Sequence, residues 1–298
     1  MLSGEYLVLQ GAHSLAMPCK FGQSLRVEKF DAEEPGLHWR SYIRDKFWVE
    51  AEFSLPDLQV LSSNQIALAN KLSELLITTA GLNPGFLDYE KKYQAHAKLD
   101  FDIRWGLGSS SSLISNIAYW AEVDPFELHF KVSEGSGYDI ACARADKALV
   151  YSVSDQKPEI REVDFHPPFT ENLFFVYSGE KKDSAVSIAD FLKKKKKQIG
   201  SMVHQVNAIT DKMIRSGSLG DFNHLIREHE DLIARLIEQK PVKELKFPDF
   251  PGEVKSLGAW GGDFLMFSFE GTKEQLLEYL QQKSLDVVFG FEEIFKTA

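Results

Sequence analysis

The sequence predicts a two-domain α+β protein, on three observations. Its 298 residues suit one large or two modest domains. Strand-like and helix-like patterns alternate in both halves, with paired antiparallel signals in the first. Residues 155–170 carry Pro158, Pro167 and Pro168 and mark a break in composition. Domains are therefore expected over 1–165 and 166–298.

The elements follow in order. Residues 6–9, 14–19 and 24–30 are short apolar or alternating runs, separated by Gly11 and by Phe21-Gly22, and read as strands. Residues 37–43 and 47–53 alternate as a hairpin that turns at Arg44-Asp45. A helix is expected over 62–80, where Ile66, Ala69, Leu72, Leu75 and Leu76 recur at helical spacing. Gly81 would cap it, with Pro84 beyond. A strand over 94–101 feeds a glycine loop. A helix from that loop to about Val123 is followed by a second, with Asp124 as N-cap and Pro125 in its first turn, through about Val132. Residues 138–143 and 148–153 read as strands. In the second half, a buried strand at 173–177 precedes long helices at about 185–215 and 219–239. A strand near 264–269, a helix near 273–283 and a strand near 286–289 close the chain.

Composition narrows the function. Hydrophobic residues make up 44% and charged residues 26%, as in ordinary water-exposed globular domains, and 22 Phe provide for a sizeable core. The formal charge of −10 argues against nucleic acid as the main partner, while leaving room for a local basic pocket. Cys19 and Cys142 have neither metal-ligand nor redox spacing and read as reduced core thiols of a cytoplasmic protein. No apolar run approaches the ~20 residues that span a bilayer, so no membrane partner is expected. The N-terminus has no basic segment or cleavage pattern of a signal peptide.

The richest run is Trp105-Gly106-Leu107-Gly108-Ser109-Ser110-Ser111-Ser112, followed by Leu113, Ile114, Ile117 and Ala118 at helical spacing. The two glycines permit a tight turn and close approach to a ligand. The N–H groups and dipole of the helix that follows would face an anion, most simply a phosphate. The plainer reading is a turn with a serine N-cap. Three further stretches carry glycine in the same way: 4–13 with Gly4, Glu5, Tyr6, Gly11 and His13; 135–139 with Gly135, Ser136, Gly137 and Asp139; and 258–263 with Gly258, Gly261, Gly262 and Asp263.

Together and in this order these stretches resemble the motifs of the GHMP small-molecule kinases, which include galactokinase, homoserine kinase, mevalonate kinase and phosphomevalonate kinase. Gly4-Glu5-Tyr6-Leu7-Val8-Leu9 and Gly261-Gly262-Asp263 are nearest the mevalonate and phosphomevalonate kinase branch. The resemblance covers the whole chain. It implies a two-domain GHMP kinase-like fold, with a mixed-sheet ATP-binding domain followed by a ferredoxin-like α/β domain. It implies ATP-dependent phosphorylation of a mevalonate- or phosphomevalonate-like acceptor, with ATP on residues Gly106, Leu107, Gly108, Ser109, Ser110, Ser111 and Ser112. Asp139 matches the catalytic aspartate, and Ser110 with Glu127 would hold Mg²⁺. Glu5, Tyr6, His13, Ser136, Gly137, Ser184, Gly261, Gly262 and Asp263 would contact the acceptor. A sugar kinase of the same family is the alternative enzyme. A nucleotide-binding protein without catalysis is the alternative from another class, and a homodimer is left open.

The sequence departs from the family pattern twice. The lysine-bearing strand that usually precedes the first motif is not present before Met1-Leu2-Ser3-Gly4, which implies either an upstream start or a lost catalytic cation. The run from Gly108 to Asp139 is short, which implies an altered acceptor side. A serine hydrolase is disfavoured, because no Gly-x-Ser-x-Gly elbow occurs. His129 reads as structural or acceptor-adjacent. Ser187 sits beside Ser184 at a helix start, and the five lysines at 193–197 read as a solvated stretch.

Overall fold

A computed structural model describes residues 1–180, 199–258, 260 and 262–296. The chain divides into two compact units that are discontinuous in sequence. Unit 1 comprises 1–20, 104–106 and 144–298; unit 2 comprises 21–103 and 107–143. The proline-bearing stretch at 155–170 thus lies inside unit 1, because the N-terminal segment pairs with chain that follows residue 144.

Unit 2 is a five-stranded sheet covered on one face by helices. Its strands are β2 (Gln23–Asp31), β3 (Gly36–Ile43), β4 (Lys46–Phe53), β5 (Val60–Ser63) and β6 (Lys91–Leu99), in the order β2-β6-β3-β4-β5. β3 and β6 run parallel, and the other pairs are antiparallel. The alternation that predicts the β3–β4 hairpin is realised: Leu37, Trp39, Ala51 and Phe53 face inward. The turn is made by Arg44 at φ 54°. Against this face pack α1 (Ile66–Leu82), α2 (Ser109–Trp120), α3 (Pro125–Val132) and α4 (Tyr138–Arg144). Each large apolar side chain buried there contributes about 1.5–3 kcal/mol. Leu72, Leu76, Ile114, Ile117 and Leu128 supply the helical side. Asp124 caps α3 as its sequence predicts, accepting from the N–H groups of Phe126 and Glu127.

Unit 1 holds two sheets. In one, β1 (Ser14–Ala16), β7 (Ala148–Ser154) and β8 (Lys157–Val163) pair antiparallel in that order. In the other, β10 (Glu253–Leu257), β11 (Phe264–Ser268), β9 (Leu173–Tyr177) and β12 (Val288–Gly290) form an antiparallel four-stranded sheet. The helices of unit 1 among the described residues are α5 (Ile199–Ile214), α6 (Leu219–Ile237), α7 (Val242–Lys246), α8 (Lys273–Gln281) and α9 (Phe291–Ile294). α7 and α8 cover one sheet face, where Phe174, Val176, Val254, Leu265 and Phe267 meet Phe247, Leu276 and Leu280. Residues of the other parity, Lys255, Met266 and Phe175, share the opposite face through their register.

Several elements differ from the sequence reading. Residues 138–143 form helix α4 and not a strand. Its short apolar run carries no period that separates the two, and Ile140 alone is fully buried. The expected strand at 6–9 is the 3-10 turn Leu7–Gln10, entered through the left-handed Gly4 and Tyr6. α1 runs through Gly81 and ends at Asn83. β5, β8 and β10 are additions, and residues 62–63, expected to open the helix, belong to β5. β8 is an exposed edge strand bearing Pro158, and β10 hides its alternation by burying Glu253 and Lys255. The expected start of the helix at 185 lies outside the described residues.

Candidate functional site

In unit 2 the glycine loop runs directly into α2. Gly108 is the N-cap at φ 78°, in the left-handed region, and no side chain caps the helix. Ser109, Ser110 and Ser111 therefore begin the helix with backbone N–H groups that have no intrahelical acceptor. The Ser112 N–H already donates to the Gly108 carbonyl at 2.9 Å. The Ser112 hydroxyl donates inward, to Gln23 Oε1 at 2.9 Å and the Ser109 carbonyl at 3.0 Å. Ser109 through Ser111 thus present donors at the positive end of the helix, while Ser112 and the Asn116–Gln23 bond (2.8 Å) fix α2 to β2. No acidic side chain occupies the first turn to compete with an anion.

Asp139 stands beside this helix start. A Cβ built on Gly108 would lie 3.8 Å from the Asp139 carboxyl carbon. Asp139 occupies the first turn of α4, and burial raises its carboxyl above the ordinary aspartate value. The approach to α4 is braced by α3. His129 Nε2 meets the Gly135 carbonyl at 3.2 Å, and the Ser133 hydroxyl accepts from the Gly135 N–H at 3.1 Å. Burial lowers the His129 imidazole, so His129 is a neutral brace. Ser136 and Gly137 are buried, and Gly137 turns at φ 83°. Glu127 is exposed near the start of α3.

In unit 1, the first and third motif stretches come together. Gly4 must be glycine: at φ 89°, a Cβ would lie 2.7 Å from the His13 carbonyl oxygen. Tyr6 adopts φ 62°, which is strained for a bulky residue, and its hydroxyl accepts from the Trp260 N–H at 3.0 Å. The His13 N–H donates to Asn207 Oδ1 at 2.7 Å. Asp263 is also left-handed, at φ 50°. Its backbone N–H donates to the Glu180 carbonyl and its carbonyl accepts from the Ser178 N–H, both at 2.8 Å. Gly262 precedes it and is buried. Ser184, Ser187, the lysine run at 193–197 and Gly261 lie outside the described residues.

Gly106 packs on Asp263. A Cβ at Gly106, whose φ is 67°, would fall 2.5 Å from the Asp263 carboxyl carbon. Gly106→Ala is therefore expected to cost about 1–2 kcal/mol in left-handed strain, with displacement of Asp263 in addition. A urea unfolding curve with an unshifted midpoint would refute this placement. Trp105, one residue earlier, packs edge-on to Phe289 and Phe264 at centroid distances of 5.3 and 6.4 Å.

Glu5 points inward. Its Oε1 accepts from Lys255 Nζ at 2.7 Å, and its Oε2 lies 3.2 Å from His229 Nε2. Lys255 also lies 3.4 Å from Glu230 Oε1. Lys255 and His229 are wholly shielded from solvent. Burial works to raise Glu5, yet the neighbouring Lys255 holds it well below the usual carboxylate range. Burial pushes Glu230 up to about 7, since it lies farther from Lys255. Burial and the neighbouring Lys255 lower the His229 imidazole. Sequence reasoning missed Lys255, His229 and Glu230. One signal was available: His229 sits four residues after Leu225 and four before Ile233, on the apolar stripe of α6.

Among the described residues, no group of three or more His, Cys, Asp or Glu could by itself hold a metal ion. The donors near the α2 start are hydroxyl and carboxylate oxygens. That chemistry suits a hard cation such as Mg²⁺, which keeps its waters and takes few protein ligands. No helix among the described residues is long and apolar enough to cross a membrane.

No family model matches the sequence, and no curated protein matches it significantly. Solved structures do match its fold. A mevalonate kinase from L. major, in complex with R-mevalonate, is 16% identical with a TM-score of 0.65, covering 97% of this chain and 91% of that one. Streptococcus pneumoniae phosphomevalonate kinase, in complex with phosphomevalonate and AMPPNP, is 16% identical with a TM-score of 0.67, covering 97% and 96%. Lactococcus lactis galactokinase, complexed with galactose, is 12% identical with a TM-score of 0.67, covering 97% and 90%. With both units spanned by these alignments, the chain has the two-domain α+β fold of the GHMP kinases.

Proposed function

We propose that the protein is an ATP-dependent small-molecule kinase whose acceptor is mevalonate, phosphomevalonate or a close analogue. The observation that carries this reading is the start of α2 at Gly108, which no side chain among the described residues caps and beside which Asp139 stands. Backbone donors with a helix dipole suit a polyphosphate. A half-buried carboxylate with a raised pKa suits a group that takes a proton from an acceptor oxygen.

In this reading, Gly106, Leu107 and Gly108 let the chain approach the phosphates, and Ser109 to Ser111 hold them. Asp139 orients the acceptor oxygen and receives its proton as that oxygen bonds to the γ-phosphorus and ADP leaves. Phosphoryl transfer needs little more than such positioning and charge stabilisation. Ser110 and Glu127 are the residues that would hold Mg²⁺, which when bound neutralises charge on the phosphate oxygens. Tyr6, His13, Ser136, Gly137, Gly262 and Asp263 are the residues that would contact the acceptor. Glu5 supports its turn from beneath, through Lys255.

The test is ADP release with ATP, Mg²⁺ and a panel of mevalonate, phosphomevalonate and galactose. Turnover with either of the first two is expected. Turnover of galactose alone would move the assignment to a sugar kinase, consistent with the galactokinase likeness. ATP binding without turnover of any acceptor would favour a nucleotide-binding protein that has lost catalysis.

A further inference from the structure

We propose that Glu5, His229, Glu230 and Lys255 form a buried positioning network that sets the turn at 4–6 and the strand β10 leading into the 258–263 turn as one unit, switched by a single proton. The inference rests on the kinase reading only where it names the acceptor.

The geometry is that of a shared cation. Lys255 Nζ lies 2.7 Å from Glu5 Oε1 and 3.4 Å from Glu230 Oε1, and donates to the Ser256 carbonyl at 3.0 Å. Glu230 and its neighbour His229, both on α6, are each tied to a different piece of backbone. The Ser256 N–H donates to Glu230 Oε2 at 3.3 Å, which fixes β10 to α6. The Gly4 N–H donates to His229 Nε2 at 3.0 Å, which fixes the 4–6 turn to the same helix. Tyr6 and Trp260 then join the two turns directly, at 3.0 Å. One ammonium thus serves two carboxylates on two elements.

The other charged side chain of β10 is already committed. Glu253 of β10 is paired with Arg227 of α6 at 2.6 Å and with Lys243 of α7 at 3.1 Å. His229 Nδ1 and Glu230 Oε1 are 4.0 Å apart, and neither has a hydrogen-bond partner among the described residues. Glu5 Oε2 is likewise buried without one among those residues. The four groups are charge-balanced when Lys255 and Glu5 are ionised and Glu230 and His229 are neutral. Ionising Glu230 adds a second buried negative charge that competes with Glu5 for Lys255. Since burial holds the Glu230 carboxyl at about 7, that competition begins near neutrality. The turn at 4–6, strained at Tyr6, is the part released.

Two measurements on wild type and Glu230→Gln test this. The first is backbone hydrogen exchange of segments 2–13 and 254–258 between pH 6 and 8.5, corrected for intrinsic rates. Both segments should lose protection together in wild type as pH rises, and keep it in Glu230→Gln. The second is the pH dependence of KM for phosphomevalonate against that for ATP. The acceptor KM should rise about fivefold or more over this range in wild type. It should stay flat in Glu230→Gln, with the ATP KM unmoved in both. Matching exchange profiles in wild type and variant overturn the network. Exchange as expected with no acceptor turned over upholds the network and removes the kinase reading.

Discussion

Lys255→Met is expected to destabilise the fold by about 3–5 kcal/mol, the usual consequence of removing one partner from a buried ion pair. Met replaces the stem of the lysine but not its charge, so the buried Glu5 loses the ammonium that holds it ionised. The penalty should depend on pH in a defined direction. In wild type, the Glu5 carboxyl is held below its ordinary value, so its stabilising effect is present above the unfolded value of about 4.5 and is lost as pH falls through the folded one. In the variant, Glu5 must take up a proton to remain buried, which becomes harder as pH rises above that unfolded value. The gap between the two proteins is therefore widest at neutral pH and closes in acid. Urea unfolding at pH 4 and pH 7.5 measures it. Adding Glu5→Gln to the variant should recover part of the loss, because the orphaned charge is then gone. Equal stability of wild type and Lys255→Met at pH 7.5 would mean that the ion pair is not formed.

Asp139→Asn is expected to lower kcat by about 10²–10⁴-fold, the range attributed to a positioned acid or base. ATP affinity should change little, since the N–H donors of Ser109 to Ser111 belong to the backbone of α2. Stability should not fall. Burial already disfavours the ionised carboxyl, and an amide of the same shape carries no charge to bury. The raised pKa also predicts that the acid limb of the wild-type kcat profile lies above the ordinary aspartate value. Isothermal titration with a nonhydrolysable ATP analogue and steady-state kinetics separate these effects. Full turnover in the variant would remove Asp139 from the reaction.

Much of this was legible because it is local. The alternation of Leu37, Trp39, Ala51 and Phe53 is a direct record of one buried sheet face. Asp124-Pro125 signals a helix start that needs no distant partner. The glycines at 106 and 108 signal a backbone that L side chains resist, and both adopt positive φ. The serines were legible only in part. The spacing could not say that Gly108, rather than a serine, would be the cap, or that Ser112 would turn its hydroxyl to Gln23.

What the chain hid is what depends on distant neighbours. Residues 138–143 look like a strand and form a helix, because so short a segment takes its shape from what packs on it. Lys255 and Glu230 look like solvent-facing charges, and they are buried because each is the other's environment.

The sequence by itself determined the α+β class, the hairpin, the glycine loop that opens α2, and the set of turns among which a site can be built. Each of these follows from backbone conformational preference or from the period of apolar residues. The tertiary structure alone decided that Asp139 stands at the start of α2 and that Asp263 fills the space beside Gly106. It also decided that Glu5 turns inward to a lysine 250 positions away. Those pairings join residues far apart in the chain, and whether a charge is buried is settled by the groups that surround it once the chain has folded.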